Sequence, residues 1–319
     1  MVPSGPGRSP DGVVAVPMTA VRRVPASRVL GVSSPGLLDR IERYFSLAPL
    51  ADAQVHTIGA LQVPIGSPEW PHPARPVPGQ EGAVAVDDVR AAIALQEKAG
   101  LPAQLEWLGD RCRGLAGVAR SAGLVVDELP LLVADDPVEV LLPAGVRLYL
   151  VGADDPRLGL YQRLVALAFA SPEPVAAAPA GAGRGTPDVA LGDPGPAELP
   201  PTEVLRERVA AGRTVMMVAV DDGQPVAIGS HQPVQVDGSE ISEVVGVATL
   251  PRFRGRGLGA GLTSALVEHA RQTADLVFLS AGDDDVARVY ERAGFARVGT
   301  SCLAERPARP ERPAERPPR

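Results

Sequence analysis

Aromatic residues are scarce: five Phe, four Tyr and two Trp in 319 residues. A core must therefore be packed mainly by Val, Leu and Ala. Lysine is nearly absent, Lys98 being the only one, and arginine carries the positive charge. The formal net charge of −7 argues against a nucleic-acid binder, whose affinity rests on basic side chains neutralising phosphates. Cysteine is limited to Cys112 and Cys302, far apart and in no metal-like spacing. That disfavours a disulfide framework and a zinc site, and it fits a reducing compartment. No apolar run approaches the ~20 residues that cross a bilayer. The first dozen residues contain no apolar segment of the kind that directs secretion. A cytoplasmic protein with no membrane partner is expected.

What is present is a chain with 45% hydrophobic residues, enough to bury a core, and a length that favours two domains. Three stretches lack the apolar content that could offset ordering: 1–12, the Pro/Gly-rich 171–201, and the Arg/Pro tail 306–319. The expected organisation is an N-terminal domain over 13–145 and a C-terminal domain over 146–305 that carries the insertion.

In the C-terminal part, Val146–Val151 reads as a strand, followed by helices over Leu158–Phe169 and Thr202–Ala211. Thr214–Val220, Pro225–Val236 and Ser242–Leu250 are β-rich and separated by Asp-Gly turns, the pattern of an antiparallel meander. A helix follows from Gly257 to about Gln272, with Leu258, Leu262, Ala265 and Leu266 on one face. Then come a buried strand at Leu276–Ser280, a helix over Asp284–Ala293 and a last strand from Arg297 to Leu303. This order predicts an α/β (α+β) fold: a mixed, mostly antiparallel central sheet flanked by helices.

The N-terminal half repeats part of that order, with helices over Asp87–Gly100 and Leu115–Ala122 and β segments over Gln104–Leu108 and Val125–Val133. Trp107 to Leu124 and Leu279 to Phe295 are almost equally spaced. The pattern suggests a diverged internal duplication, hence a tandem of two related units.

The segment Val245–Ala260 is the most informative. A strand ends at Pro251, and a Gly/Arg-rich turn opens directly into a helix. Glycines let the backbone approach a ligand closely. The free N–H groups of a first helical turn, with the helix dipole, favour a pyrophosphate. Arg254 and Arg256 add charge at the same place. Residues Gly255 to Ala260 also satisfy GxGxxA, a nicotinamide-cofactor fingerprint. That motif belongs after the first strand of a βαβαβ unit, whereas here it follows a meander with about sixty residues left in the sequence.

Arg254-x-x-Gly257-x-Gly259, together with Asp284-x-x-Ala287-x-x-Tyr290-x-x-x-Gly294-Phe295, resembles the GNAT acetyltransferase superfamily over roughly 146–305. The resemblance implies a GNAT-like fold and acetyl-CoA as co-substrate. The thioester would be bound by the main chain of Val247, Ala248 and Thr249 and by the loop Gly255, Arg256, Gly257, Leu258, Gly259 and Ala260. Asp284 stands where the family often has Asn; a helix N-cap within Asp283–Asp285 is the competing role. Tyr290 resembles the general acid that protonates the leaving thiolate. Glu243, eight residues before Pro251, is the candidate base, with Glu240 as a substitute. Strand alternation would put Glu243 on one face with Val245, Val247 and Thr249. His231 could line an acceptor pocket or sit in a turn, and Trp70 could cap that pocket or pack between domains.

The N-terminal repeat has no Gly/Arg loop, and Ala119 stands where Tyr290 stands in the second copy. A structural or substrate-shaping role is expected for it. The implied activity is transfer of an acetyl group to a primary amine of a small molecule or peptide. A non-catalytic acyl-CoA-binding sensor on the same scaffold is the alternative. A homodimer is compatible with the sequence, which does not fix the quaternary state.

Overall fold

The computed structural model describes residues 14–15, 36–135, 138, 140–170 and 200–307. The stretches expected to be unstructured lie outside these, apart from 200–201 and 306–307. The first half contains β1 (Val14–Ala15), α1 (Leu37–Leu47), β2 (Ala53–Ile58), β3 (Leu61–Gly66), β4 (Arg75–Pro76), α2 (Val86–Lys98), β5 (Gln104–Leu108), α3 (Leu115–Ser121) and β6 (Val125–Ala134). The second contains β7 (Arg147–Leu150), α4 (Leu158–Ala170), α5 (Glu203–Ala210), β8 (Val215–Asp221), β9 (Gln224–Val236), β10 (Ser239–Thr249), α6 (Leu258–Ala270), β11 (Ala274–Ser280), α7 (Asp284–Arg292) and β12 (Phe295–Glu305). No helix among the described residues is long and apolar enough to cross a membrane.

The chain forms two compact units, the first from residues 1–48 and 130–299, the second from 49–129 and 300–319. These units do not coincide with the consecutive segments 13–145 and 146–305, because β6 and β12 each pass from one unit into the other.

In the first unit the strands lie in the order β1-β7-β8-β9-β10-β11-β6. Every neighbouring pair is antiparallel except β10 and β11, which run parallel. This is the mixed, mostly antiparallel sheet that the sequence predicts. Both expected Asp-Gly turns are present: Asp222-Gly223 joins β8 to β9 and Asp237-Gly238 joins β9 to β10, all four residues at positive φ. Such mirror-image turns match the twist of the strands they connect.

Helix α6 buries Leu258, Leu262, Ala265 and Leu266 against Ala227, Val244, Val277 and Leu279 on one face of the sheet. It comes so close at Gly229 that an added Cβ would lie 3.0 Å from Leu266 Cδ1. The opposite face carries Phe278, which meets Tyr44 and Phe45 of α1 edge to face at 5.0 and 5.5 Å between ring centroids. Such contacts add about 1 kcal/mol each beyond area burial. The Tyr44 hydroxyl donates to the Gln232 carbonyl at 3.0 Å. Three of the chain's nine Phe and Tyr residues thus anchor one point of the sheet.

In the second unit, β2, β3 and β4 form an antiparallel sheet, and β5 pairs antiparallel with β12 from Ser301–Leu108 to Glu305–Gln104. The runs β5-α3-β6 and β11-α7-β12 have the same element order. Each contributes its final strand to the unit that houses the other's first strand: β6 pairs with β11, β12 with β5.

Candidate active site

Strand β10 carries the local device that opens the first unit's sheet. Its antiparallel pairing with β9 continues to Thr249, with a bulge between Val245 and Ala248 where Gly246 takes φ +62°. Its parallel pairing with β11 stops at Glu243 and Phe278. From Val244 to Thr249 the edge of β10 facing away from β9 has no strand partner among the described residues. A bulge bends and twists the strand that carries it, which accounts for the parting. The main chain of Val247, Ala248 and Thr249 lies along this open stretch.

At the end of the opening sits the Gly/Arg turn. Gly255 and Gly257 have φ of +73° and +79°, a left-handed conformation that glycine adopts without strain. Gly257 is the N-cap of α6 and offers no side-chain cap. The N–H groups of Leu258, Gly259 and Ala260 therefore remain available at the positive end of the helix. A Cβ at Gly259 would meet only Thr249 Oγ1, at an ordinary 3.8 Å. The protein's own packing does not require glycine there, and its absence of a side chain leaves the turn bare.

Both loop arginines are already engaged. Arg254 donates to the Thr249 carbonyl at 3.2 Å and to the Ala168 carbonyl at 2.6 Å, tying the loop to α4. Arg256 pairs with Asp221 at 2.9 Å and, with Arg252, flanks the ring of Phe253. They shape the loop and leave positive charge beside the helix terminus.

On α7, Asp283 is the N-cap, accepting from the Val286 N–H at 2.7 Å. Asp284 is exposed and receives a hydrogen bond from Arg297 at 2.7 Å. Tyr290 is half-buried against the α6 side of the core, its ring 5.8 Å from Phe295. Burial pushes its phenol up to about 12, and the nearby Thr263 hydroxyl opposes the rise.

Glu243 is half-buried and occupies the last register pair before the strands part. The simple alternation expected along β10 does not survive the bulge: Glu243 shares a face with Val245 and Ala248, whereas Thr249 points to the other. Tyr290 and Glu243 thus approach the opening from opposite faces of the sheet. Glu240 lies on the α6 face and is held by Gln235 and Thr273.

His231 does not sit in a turn. It is buried within β9, Nδ1 to Ser242 Oγ at 2.8 Å and Nε2 to His269 Nδ1 at 2.9 Å. Burial, with His269 beside it, lowers its pKa to about 3. No local signal links residues 231 and 269. Trp70 lies in the second unit, between β3 and β4.

The second unit offers a contrast at α2. Asp88 accepts from the Ala85 N–H at 3.0 Å and so holds its own carboxylate at the helix start. A Cβ at Gly59 would collide with that carboxylate at 2.2 Å. Ala119, the counterpart of Tyr290, is fully buried.

Residues 189–295 match the model of the Acetyltransferase (GNAT) family, about a third of the chain. This segment is a GNAT-family domain. No curated protein matches the chain. Among solved structures, a GCN5-related N-acetyltransferase from Kribbella flavida is 23% identical with a TM-score of 0.59, over 86% of this chain and 97% of that one. This likeness carries the fold. A protein described as a GNAT-family acetyltransferase from Novosphingobium aromaticivorans is 16% identical over 85% and 97%, TM-score 0.46. A tandem GNAT protein from the clavulanic acid biosynthesis pathway is 15% identical over 88% and 98%, TM-score 0.42.

Proposed function

We propose that the first unit is an N-acetyltransferase that moves an acetyl group from acetyl-CoA directly to a primary amine. The observation that carries this reading is the parting of β10 from β11 beyond Glu243 and Phe278, with the uncapped start of α6 at its end. An extended chain of amides can pair with the main chain of Val247, Ala248 and Thr249 as a further strand would. A pyrophosphate suits the loop from Gly255 to Ala260, where Leu258, Gly259 and Ala260 present N–H groups and Arg254 and Arg256 add charge. Pairing with Arg297 offsets the repulsion that Asp284 would exert on a phosphate nearby. Bound there, acetyl-CoA supplies an activated acyl carbon and a thiolate leaving group.

The remaining work is proton transfer. An amine attacks only when neutral, so a base must accept its proton, and Glu243 takes that role from the β11-proximal end of the opening. Tyr290 gives its proton to the departing sulfur. A phenol held near 12 stays protonated throughout the neutral range. The second unit, with acidic residues in the first turn of α2 and no tyrosine, has a structural or substrate-shaping role. In this reading the protein works in the cytoplasm without membrane or nucleic acid.

The test is thermal unfolding with acetyl-CoA, CoA or NADH, followed by turnover with a panel of primary amines. Ligand at 100 times its dissociation constant stabilises by about 2.7 kcal/mol, so acetyl-CoA and CoA should raise the midpoint and NADH should not. No shift with acetyl-CoA overturns the proposal. A shift without turnover on any amine would establish a non-catalytic acyl-CoA sensor instead.

A further inference from the structure

Strand β11 runs on past the point where β10 leaves it. Its pairing with β6 continues in unbroken register through Phe278–Val133, Leu279–Leu132 and Ser280–Leu131, so alternation holds along it. Leu279 and Leu132 belong to the core under α6. Phe278 and Ser280 therefore lie on the opposite face, where Glu243 stands beside Phe278 as its register partner. The Phe278 ring is fully buried against Tyr44 and Phe45, and these rings fill the vertex of the opening on that face. A group that reaches Glu243 from the opening must lie toward Ser280. Sheet spacings of ~4.8 Å between strands and ~3.3 Å per residue put the two Cα atoms at least about 8 Å apart, which leaves room for one small group between the side chains. Ser280 is half-buried, yet its Oγ is sealed from solvent and makes no hydrogen bond among the described residues. A buried hydroxyl without a partner costs stability that alanine in its place would not.

We propose that Ser280 is a specificity-determining residue that selects primary amines, its hydroxyl accepting one N–H of the attacking nitrogen while Glu243 accepts the other. This rests on the acetyl transfer proposed for the opening, with Glu243 as its base. A neutral primary amine has two N–H groups and one lone pair. With both N–H groups held, the lone pair has one direction left, toward the acyl carbon. A secondary amine has a single N–H, so one of the two acceptors goes unmet and the added carbon crowds the hydroxyl. Sites that hydrogen-bond a substrate group reject the analogue that lacks it. A turn about χ1 between staggered positions carries the Ser280 hydroxyl to the nitrogen, since catalytic hydrogen bonds are completed only when the reacting groups are present.

The experiment compares wild type with Ser280→Ala and with Ser280→Cys, which keeps the shape but accepts hydrogen bonds weakly. Each primary amine that is acetylated is paired with its N-methyl derivative, beginning with n-butylamine and N-methylbutylamine. Wild type should favour the primary amine about ten-fold or more in kcat/KM. In both variants the primary amine should lose about five- to ten-fold and the secondary amine little, so the preference collapses. The acetyl-CoA dissociation constant, by titration calorimetry, should not change. A readout without turnover accompanies these: the unfolding midpoint of free Ser280→Ala should equal or exceed that of wild type, because a partnerless buried hydroxyl has been removed. A lower midpoint would assign the hydroxyl to the fold and overturn the inference. An unchanged preference in both variants would overturn it too, with acetyl transfer left standing. Loss of acetyl-CoA affinity with the preference kept would move Ser280 to the cofactor side, again overturning it. If wild type binds acetyl-CoA but acetylates no amine, the inference falls and the acyl-CoA site stands; if acetyl-CoA gives no shift, both readings fall.

Discussion

Helices α6 and α2 hold corresponding places in the two units and differ at their first turns. At α6 the N-cap is a left-handed glycine, no side chain covers the N–H groups, and the preceding strand ends beside a gap. At α2 the Asp88 carboxylate stands at the first turn, accepting from the N–H of the N-cap Ala85 and filling the space above Gly59. A carboxylate at a helix start stabilises it by roughly 0.3–1 kcal/mol, so α2 gains from it and α6 forgoes that gain. The first turn of α6 holds no acidic side chain that would repel an anion, whereas that of α2 holds Asp87 and Asp88.

The largest expected effect lies at the position where one unit has tyrosine and the other alanine. Tyr290→Phe should lower kcat on the order of a hundred-fold or more while the thermal shift given by acetyl-CoA is retained; loss of that shift would make Tyr290 a binding residue. Next, α6 can be given an acidic first turn in the manner of α2. Gly259→Asp should weaken acetyl-CoA affinity about ten- to a hundred-fold by titration calorimetry, yet leave the midpoint of the free protein unchanged or higher, since an acidic first turn favours the helix. A variant that binds normally would remove the helix start from the site.

The first unit buries one histidine and the second half-buries another. His231 in the first is lowered to about 3 and His72 in the second to about 4, burial being the main cause in both. Their folded pKa values lie below the unfolded 6.5, so the unfolded chain binds more protons between those limits. Stability is full above pH 6.5 and falls as the pH drops toward 4 and then 3, by at most about 1.4 kcal/mol per pH unit for each histidine. Thermal unfolding from pH 7.5 to 4.5 should show the decline, and His231→Gln should flatten it. A slope unchanged by that substitution would assign the acid sensitivity elsewhere. The smallest effect belongs to α2: Asp88→Ala should cost about 1 kcal/mol through loss of the hydrogen bond to Ala85 and of an acidic first-turn side chain and should not create acetyl-CoA binding in the second unit.

What the sequence displayed followed the range of the interactions involved. The Asp-Gly turns, the apolar stripe of α6 and the glycine turn at its start are local, and all stand where the residues placed them. The bulge in β10 was harder to see, because Val244 to Thr249 reads as an unbroken β pattern. Gly246 inside it was the available signal, and it decides which face Glu243 shares with its neighbours. The contact of Asp284 with Arg297 joins residues thirteen apart across a turn. Pairing of His231 with His269, and the strand partners of β6 and β12, are set by tertiary packing, which periodicity does not report. Strands β3 and β4 are short and contain Pro64 and Pro76, which hides them from a reading of periodicity.

The reciprocal use of β6 and β12 has a consequence for how the molecule is made. The second unit needs residues 300–305 to pair with β5, and the first needs β6 from early in the chain to pair with β11. The first unit cannot close until β11 has been made, nor the second until residues 300–305 have, so neither is completed by the N-terminal half alone. Folding is bound to wait on contacts nearly two hundred residues apart in sequence, the kind that form slowly. A gene cut between its halves would leave β5 and β11 each with an open edge, which makes the duplication hard to undo by recombination.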